Sequence, residues 1–141
     1  MKEYSLLVLK PDCVERNLIR FAERKVEEAG LEILVKRKMV LSERAAIILY
    51  STCRNEDFFN GLLQFMLSGP IIAYIVKGDN ARKILTEIVG FREPSRAQIG
   101  TIRSFGINIR YNLAHSSRTE EDFLREVSAL FTDLELYDLG I

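Results

Sequence analysis

The chain has 141 residues, enough for one compact domain and too few for two comfortable ones. Hydrophobic residues make up 48% of it, which suits an ordinary globular core that needs no disulfide or metal staple. Twenty basic residues balance 20 acidic ones, so the chain as a whole is no electrostatic magnet for nucleic acid or anionic lipid.

The first candidate element is residues 4–9 (YSLLVL), an apolar run that reads as a buried strand and stops at Pro11. Asp12-Cys13-Val14-Glu15 has the form of a capping box, with Asp12 as N-cap and Glu15 reaching back. The helix it opens carries Leu18, Phe21, Ala22 and Val26 at helical spacing and ends at Gly30. Residues 31–41 alternate well enough for a strand. Ser42 opens a helix through about Thr52, and Asn55 is placed to cap another, with Phe58, Phe59, Leu62, Leu63 and Met66 on its apolar side, closed by Ser68-Gly69-Pro70. Ile71 to Val76 is a third strand candidate, followed by a helix capped by Asp79 and ended by Gly90. Residues 91–112 carry no clear period, and a loop that long inside a small domain is usually functional. Asn112-Leu113-Ala114-His115 reads as a last short strand, and Thr119 with Asp122 starts the final helix. The residues after it, 132–141, are left as a tail.

The order β-α-β-α-α-β-α-loop-β-α predicts an α/β (α+β) fold, with a ferredoxin-like βαββαβ antiparallel sheet fitting the few strands better than a doubly wound one. The whole chain, 1–141, is read as one domain. Cys13 and Cys53 stand forty positions apart with no second Cys or His near either, a pattern of reduced thiols rather than a zinc site. The N-terminal apolar run is too short for a signal core and no segment approaches a membrane span, so the expected location is the cytoplasm, with no membrane partner.

Three features carry possible chemistry. Lys10 closes the first strand just before a proline and a helix start, which projects its ammonium from the sheet end. The segment 92–103 is rich in guanidinium, whose forks match phosphate oxygens. His115 is the only histidine, and a neutral imidazole is a competent nucleophile towards phosphorus when a partner fixes its tautomer. Glu126 on the following helix is placed to be that partner. Each feature alone also has an ordinary reading: a solvated lysine, a solvated loop, a structural histidine.

Taken together, KPDCVERNLI (10–19), FFNGLLQFMLSGP (58–70), GTIR (100–103) and NLAHSS (112–117) resemble the nucleoside diphosphate kinase family, in the same order and over nearly the whole chain. The resemblance implies a ferredoxin-like core, Mg²⁺-dependent ping-pong transfer between nucleoside triphosphates and diphosphates, and a hexameric or tetrameric homo-oligomer. It implies that His115 is the phosphate carrier, that Glu126 bonds its other ring nitrogen with Ser117 beside it, and that Tyr50 lies near the ring. By the same resemblance Lys10 contacts phosphates and sugar, Phe58 stacks on the base with Ile109 packed near it, and Arg103 and Asn112 bind phosphate and ribose. Mg²⁺ would be held mainly by the nucleotide phosphates, with no dedicated protein ligand.

The chain departs from the family in three places. Where the family has an arginine four residues before the helix-ending glycine and a threonine two residues after it, this chain has Thr86 and Arg92, an apparent exchange. Either Arg92 supplies the missing guanidinium from the other side, or the protein is a weakened nucleotide binder or scaffold on the same fold. The loop after Arg103 is one residue short, and Arg118 stands where the family usually has an acid. An RNA-binding module of the same fold class would expect a basic excess, which the zero net charge opposes.

Overall fold

The computed structural model describes residues 2–141. Four strands, β1 (Lys2–Leu9), β2 (Glu32–Met39), β3 (Ile71–Asp79) and β4 (Ala114–Ser116), form an antiparallel sheet in the order β2-β3-β1-β4. That is the ferredoxin-like order expected from the alternation of elements. The helices are α1 (Pro11–Glu15), α2 (Ile19–Glu28), α3 (Glu43–Leu49), α4 (Phe59–Met66), α5 (Ala81–Val89), α6 (Glu120–Leu130) and α7 (Asp133–Asp138). None is long and apolar enough to cross a membrane among the described residues.

Both faces of the sheet are covered, and the central strands show why. In β1 and β3 the residues alternate between two cores instead of between core and water. Leu6, Val8, Ala73 and Ile75 pack under α3, α4, α6 and α7, while Leu7, Leu9, Ile72, Tyr74 and Val76 pack under α1, α2 and α5. A strand buried on both sides reads as a continuous apolar run, which is the pattern of YSLLVL and IIAYIV. β2, at the edge, carries Glu32, Lys36, Arg37 and Lys38 and is largely half-buried or exposed.

Several local expectations need correction. The helix expected from Asp12 to Gly30 is two helices, broken at Asn17, which takes a left-handed φ of 57° that ends α1. Asp12 caps nothing: Lys10 occupies the N-cap of α1, and the Asp12 carboxylate accepts from the Leu113 amide at 3.2 Å. Neither Asn55 nor Asp79 caps a helix. Phe58 and Asn80 hold those positions, Asn80 with φ 53°, and Ser51–Cys53 form a short 3₁₀ turn. Ser42 and Thr119 do cap α3 and α6, accepting from Ala45 and Asp122 amides. The tail folds as α7, set by a capping box between Thr132 and Glu135.

Candidate functional site

The long segment 91–112 is an ordered loop held by close backbone contacts. Gly90 ends α5 with φ 94°, and a side chain there would collide with Thr101 Oγ1 at 2.5 Å. Short 3₁₀ turns at Pro94–Arg96 and Arg103–Phe105 compact the loop. At Gly106 a Cβ would stand 2.8 Å from Asn112 Cα, so only glycine lets the two limbs of the loop cross this closely. The crossing delivers residues 110–113 to the end of β1.

There the chain makes an unusual corner. Leu113 has φ 76°, and the Ala114 amide donates to the Asn112 carbonyl at 2.9 Å, closing a three-residue γ-turn of the rare, strained kind. The turn is tied down by the segment 10–12: the Lys10 amide donates to the Leu113 carbonyl at 2.9 Å, and the Asp12 carboxylate takes the Leu113 amide. Leu113 itself is fully buried in the core under α2 and α5. Immediately after the corner, β4 pairs His115 with Val8. Residues directly opposite in a sheet share a face, so the imidazole lies on the side of Val8, toward α3 and α6.

Around the imidazole the contacts are short and complete. His115 Nε2 lies 2.8 Å from Glu126 Oε1, and the same oxygen accepts from Ser117 Oγ at 2.8 Å. Glu126 is 3% exposed and its other oxygen accepts from Arg125 at 3.3 Å. A carboxylate in that position makes Nε2 the protonated nitrogen and leaves the Nδ1 lone pair without a partner among the described residues. The Tyr50 ring meets the imidazole edge-on at 5.3 Å, and its hydroxyl lies 3.6 Å from Met66 Sδ. Burial pushes the Tyr50 phenol well above its ordinary range, so it stays neutral.

One cleft is lined by Lys10, Tyr50, Phe58, Thr86, Arg92, Arg103, Ile109, Asn112, His115 and Glu126. Every site residue expected from the sequence is on that wall except Ser117, which sits buried behind it on Glu126. Thr86 and Arg92 both reach the cleft, so the apparent exchange keeps one guanidinium and one hydroxyl at the same site. Lys10 is buried, with Nζ donating to Asn112 Oδ1 and to the Arg110 carbonyl, each at 2.8 Å. Burial, aided by the Arg103 charge, lowers its pKa to about 7. Asn112 in turn donates to the Arg92 carbonyl at 2.8 Å. Arg103 donates to the carbonyls of Ala114 and Gly90, and burial draws its pKa down to about 10, where it is still a cation at neutral pH.

Arg118, Asp122, Thr52, Cys53 and Ser116 also line the cleft. Of these, Arg118 stands out in the sequence as a departure, while Asp122 reads only as part of a helix start and Cys53 only as a reduced thiol. Asp12 was legible as an acid beside Lys10, but its real partner lies 101 positions away. Arg125 was missed, although its i, i+3 spacing from Asp122 on a helix is a recognisable pair signal.

The family model described as nucleoside diphosphate kinase matches residues 3–136. A nucleoside diphosphate kinase of Ehrlichia chaffeensis is 36% identical over 141 residues, covering 99% of each chain. Among solved structures, a halophilic nucleoside diphosphate kinase from Halobacterium salinarum in complex with CDP superposes with a TM-score of 0.90 at 31% identity, covering 96% of this chain and 91% of that one. The Aquifex aeolicus nucleoside diphosphate kinase gives 0.88 at 28% identity, covering 96% of this chain and 99% of that one. A ferredoxin-like sheet carrying a carboxylate-backed imidazole in a cationic cleft defines a phosphotransferase. More narrowly, the chain belongs to the nucleoside diphosphate kinase family.

Proposed function

We propose that the chain, acting as one domain, moves the γ-phosphoryl group of a nucleoside triphosphate to a nucleoside diphosphate in two half-reactions through phospho-His115. The observation that carries this is the pairing of His115 Nε2 with the buried Glu126, which leaves Nδ1 as the nucleophile. In the first half-reaction the Nδ1 lone pair forms a bond to the γ-phosphorus. The bond from that phosphorus to the bridging oxygen breaks, and its electron pair leaves with the diphosphate. Positive charge appears on the ring, and the Nε2–H···Glu126 bond strengthens against it. A terminal oxygen of an acceptor diphosphate then attacks the phosphorus, the P–Nδ1 bond breaks, and its electron pair returns to the ring, restoring neutral His115.

Phosphoryl transfer of this kind needs positioning and spread positive charge more than covalent chemistry. Lys10, Arg92 and Arg103 supply the charge, and Asn112 presents its amide to the sugar. Phe58 offers a stacking face with Ile109 near it, which reads no base edge and favours broad base acceptance. The acidic groups lining the cleft, Asp122 and Glu126, are already engaged by Arg125, His115 and Ser117, while the remaining charged lining is cationic. Such a wall suits phosphates that bring their own Mg²⁺. The ion would add positive charge to that of Lys10, Arg92 and Arg103, with the nucleotide phosphates as its main ligand. Assembly into a homo-hexamer or tetramer and a cytoplasmic location complete the proposal, with sedimentation velocity as the check on the first.

Incubation with γ-labelled ATP and Mg²⁺ should place an acid-labile, alkali-stable label on the protein that passes to any added nucleoside diphosphate. A wild-type protein that takes no label sinks the reading; label surviving in His115→Ala sinks the choice of nucleophile.

A further inference from the structure

The Glu126 carboxylate is almost wholly shielded from water and is the hydrogen-bond acceptor for His115 Nε2. A carboxylate in such a place needs compensating donors. Oε1 has two, from His115 and Ser117, and both are neutral groups. Among the described residues the one cation bonded to the carboxylate is Arg125, whose Nη2 stands 3.3 Å from Oε2 and 3.0 Å from Asp122 Oδ1. Arg125 is adjacent to Glu126 in the chain and lies one helical turn from Asp122, so α6 presents the acid, the base and the second acid as one rigid set. Its Nε is buried without a partner, so the guanidinium is committed to the two carboxylates through a single nitrogen.

From this arrangement we propose that Arg125 is a positioning residue for phosphoryl transfer: it anchors Glu126 Oε2 so that Oε1 faces the ring, and so keeps the His115 hydrogen on Nε2 and the Nδ1 lone pair free. The proposal rests on His115 as nucleophile. Without Arg125 on Oε2, the carboxylate loses its second anchor and is free to turn from the ring. The tautomer with hydrogen on Nδ1 then becomes accessible, and that tautomer cannot attack phosphorus. The other charged groups around the pair do not substitute. Lys10, Arg103 and Arg118 lie on the cleft wall where phosphates bind, Asp122 is an acid, and Tyr50 is held neutral by burial.

The test is single-turnover labelling by γ-labelled ATP and Mg²⁺ across pH 5.5–9 for wild type, Arg125→Lys, Arg125→Met and Arg125→Gln, with ADP affinity and thermal stability measured on each. Arg125→Met is expected to slow labelling at least tenfold while ADP affinity stays within twofold. Arg125→Lys keeps a charge near Oε2 and should recover most of the rate. Arg125→Gln keeps a donor without the charge, should behave like Arg125→Met, and serves in its place if that variant does not fold. Uncharged variants with wild-type rate and pH profile overturn the proposal, as does a uniform loss in the lysine, methionine and glutamine forms that tracks lowered stability. A wild-type protein that fails to label fails the function itself, which separates the two.

Discussion

The two walls of the cleft are built on different terms. On the β4–α6 side His115, Glu126, Ser117, Asp122 and Arg125 engage one another within 3.3 Å, on a strand and a capped helix. On the loop side the Arg92 side chain is exposed and stands free of any hydrogen bond or ion pair among the described residues, as does Arg118 where β4 turns into α6. The first wall is complete before a ligand arrives, and the second is finished only by one. Preorganised groups suit the place where charge develops, and unpaired cations suit the place where a polyanion must enter and leave.

The contrast predicts unequal costs. His115→Ala should drop label incorporation to background, since nothing else on the rigid wall has a free nucleophilic nitrogen. Arg92→Thr should weaken nucleotide binding by about tenfold, the loss of one charge-assisted hydrogen bond, with His115 still labelled at saturating nucleotide. Restoring an arginine in the double variant Arg92→Thr/Thr86→Arg should recover affinity. An Arg92→Thr enzyme with unchanged affinity and turnover would break the view that the two positions compensate. The cost of Thr119→Ala should be smaller still and confined to stability, about 1 kcal/mol in a denaturant titration, because it removes only the cap of α6.

Lys10 gives the comparison a pH axis. Its folded pKa of about 7 lies below the ordinary 10.5, so between those values the unfolded chain binds a proton that the folded chain does not. Stability without ligand should therefore rise with pH through that window, and Lys10→Met should flatten the rise in thermal scans. Nucleotide phosphates favour the charged amine, so binding at pH 8 should take up protons. Calorimetry in buffers of different ionisation enthalpy would show the uptake, and Lys10→Met would remove it.

What the sequence disclosed follows the range of the forces involved. β1 and β3 were legible because a doubly buried strand is apolar at every position. The caps at Ser42 and Thr119 were legible because their partners are three residues away. Asp12 was misassigned because Asp-x-x-Glu is a local pattern, whereas its actual partner, the Leu113 amide, comes from the far end of the chain. The break at Asn17 hid inside an unbroken helical stripe. α7 had its capping box in plain view at Thr132 and Glu135, but six residues are too few for a period to emerge. Lys10, Arg92, Asn112 and His115 each looked ordinary in isolation. Only the resemblance in register joined them, since a three-residue strand such as β4 owes its place to β1 and not to its own residues.

The hydrogens on Lys10 Nζ can be counted. A charged ammonium has three, and Asn112 and the Arg110 carbonyl take two. The third would remain for a phosphate in the proposed reaction. A neutral amine has two, both already spent on the loop, and would turn a lone pair toward the incoming anion. If Lys10 meets the phosphates as proposed, the same two loop contacts make it a valency gate: only the fully charged amine would have a hydrogen left for a phosphate while keeping the loop.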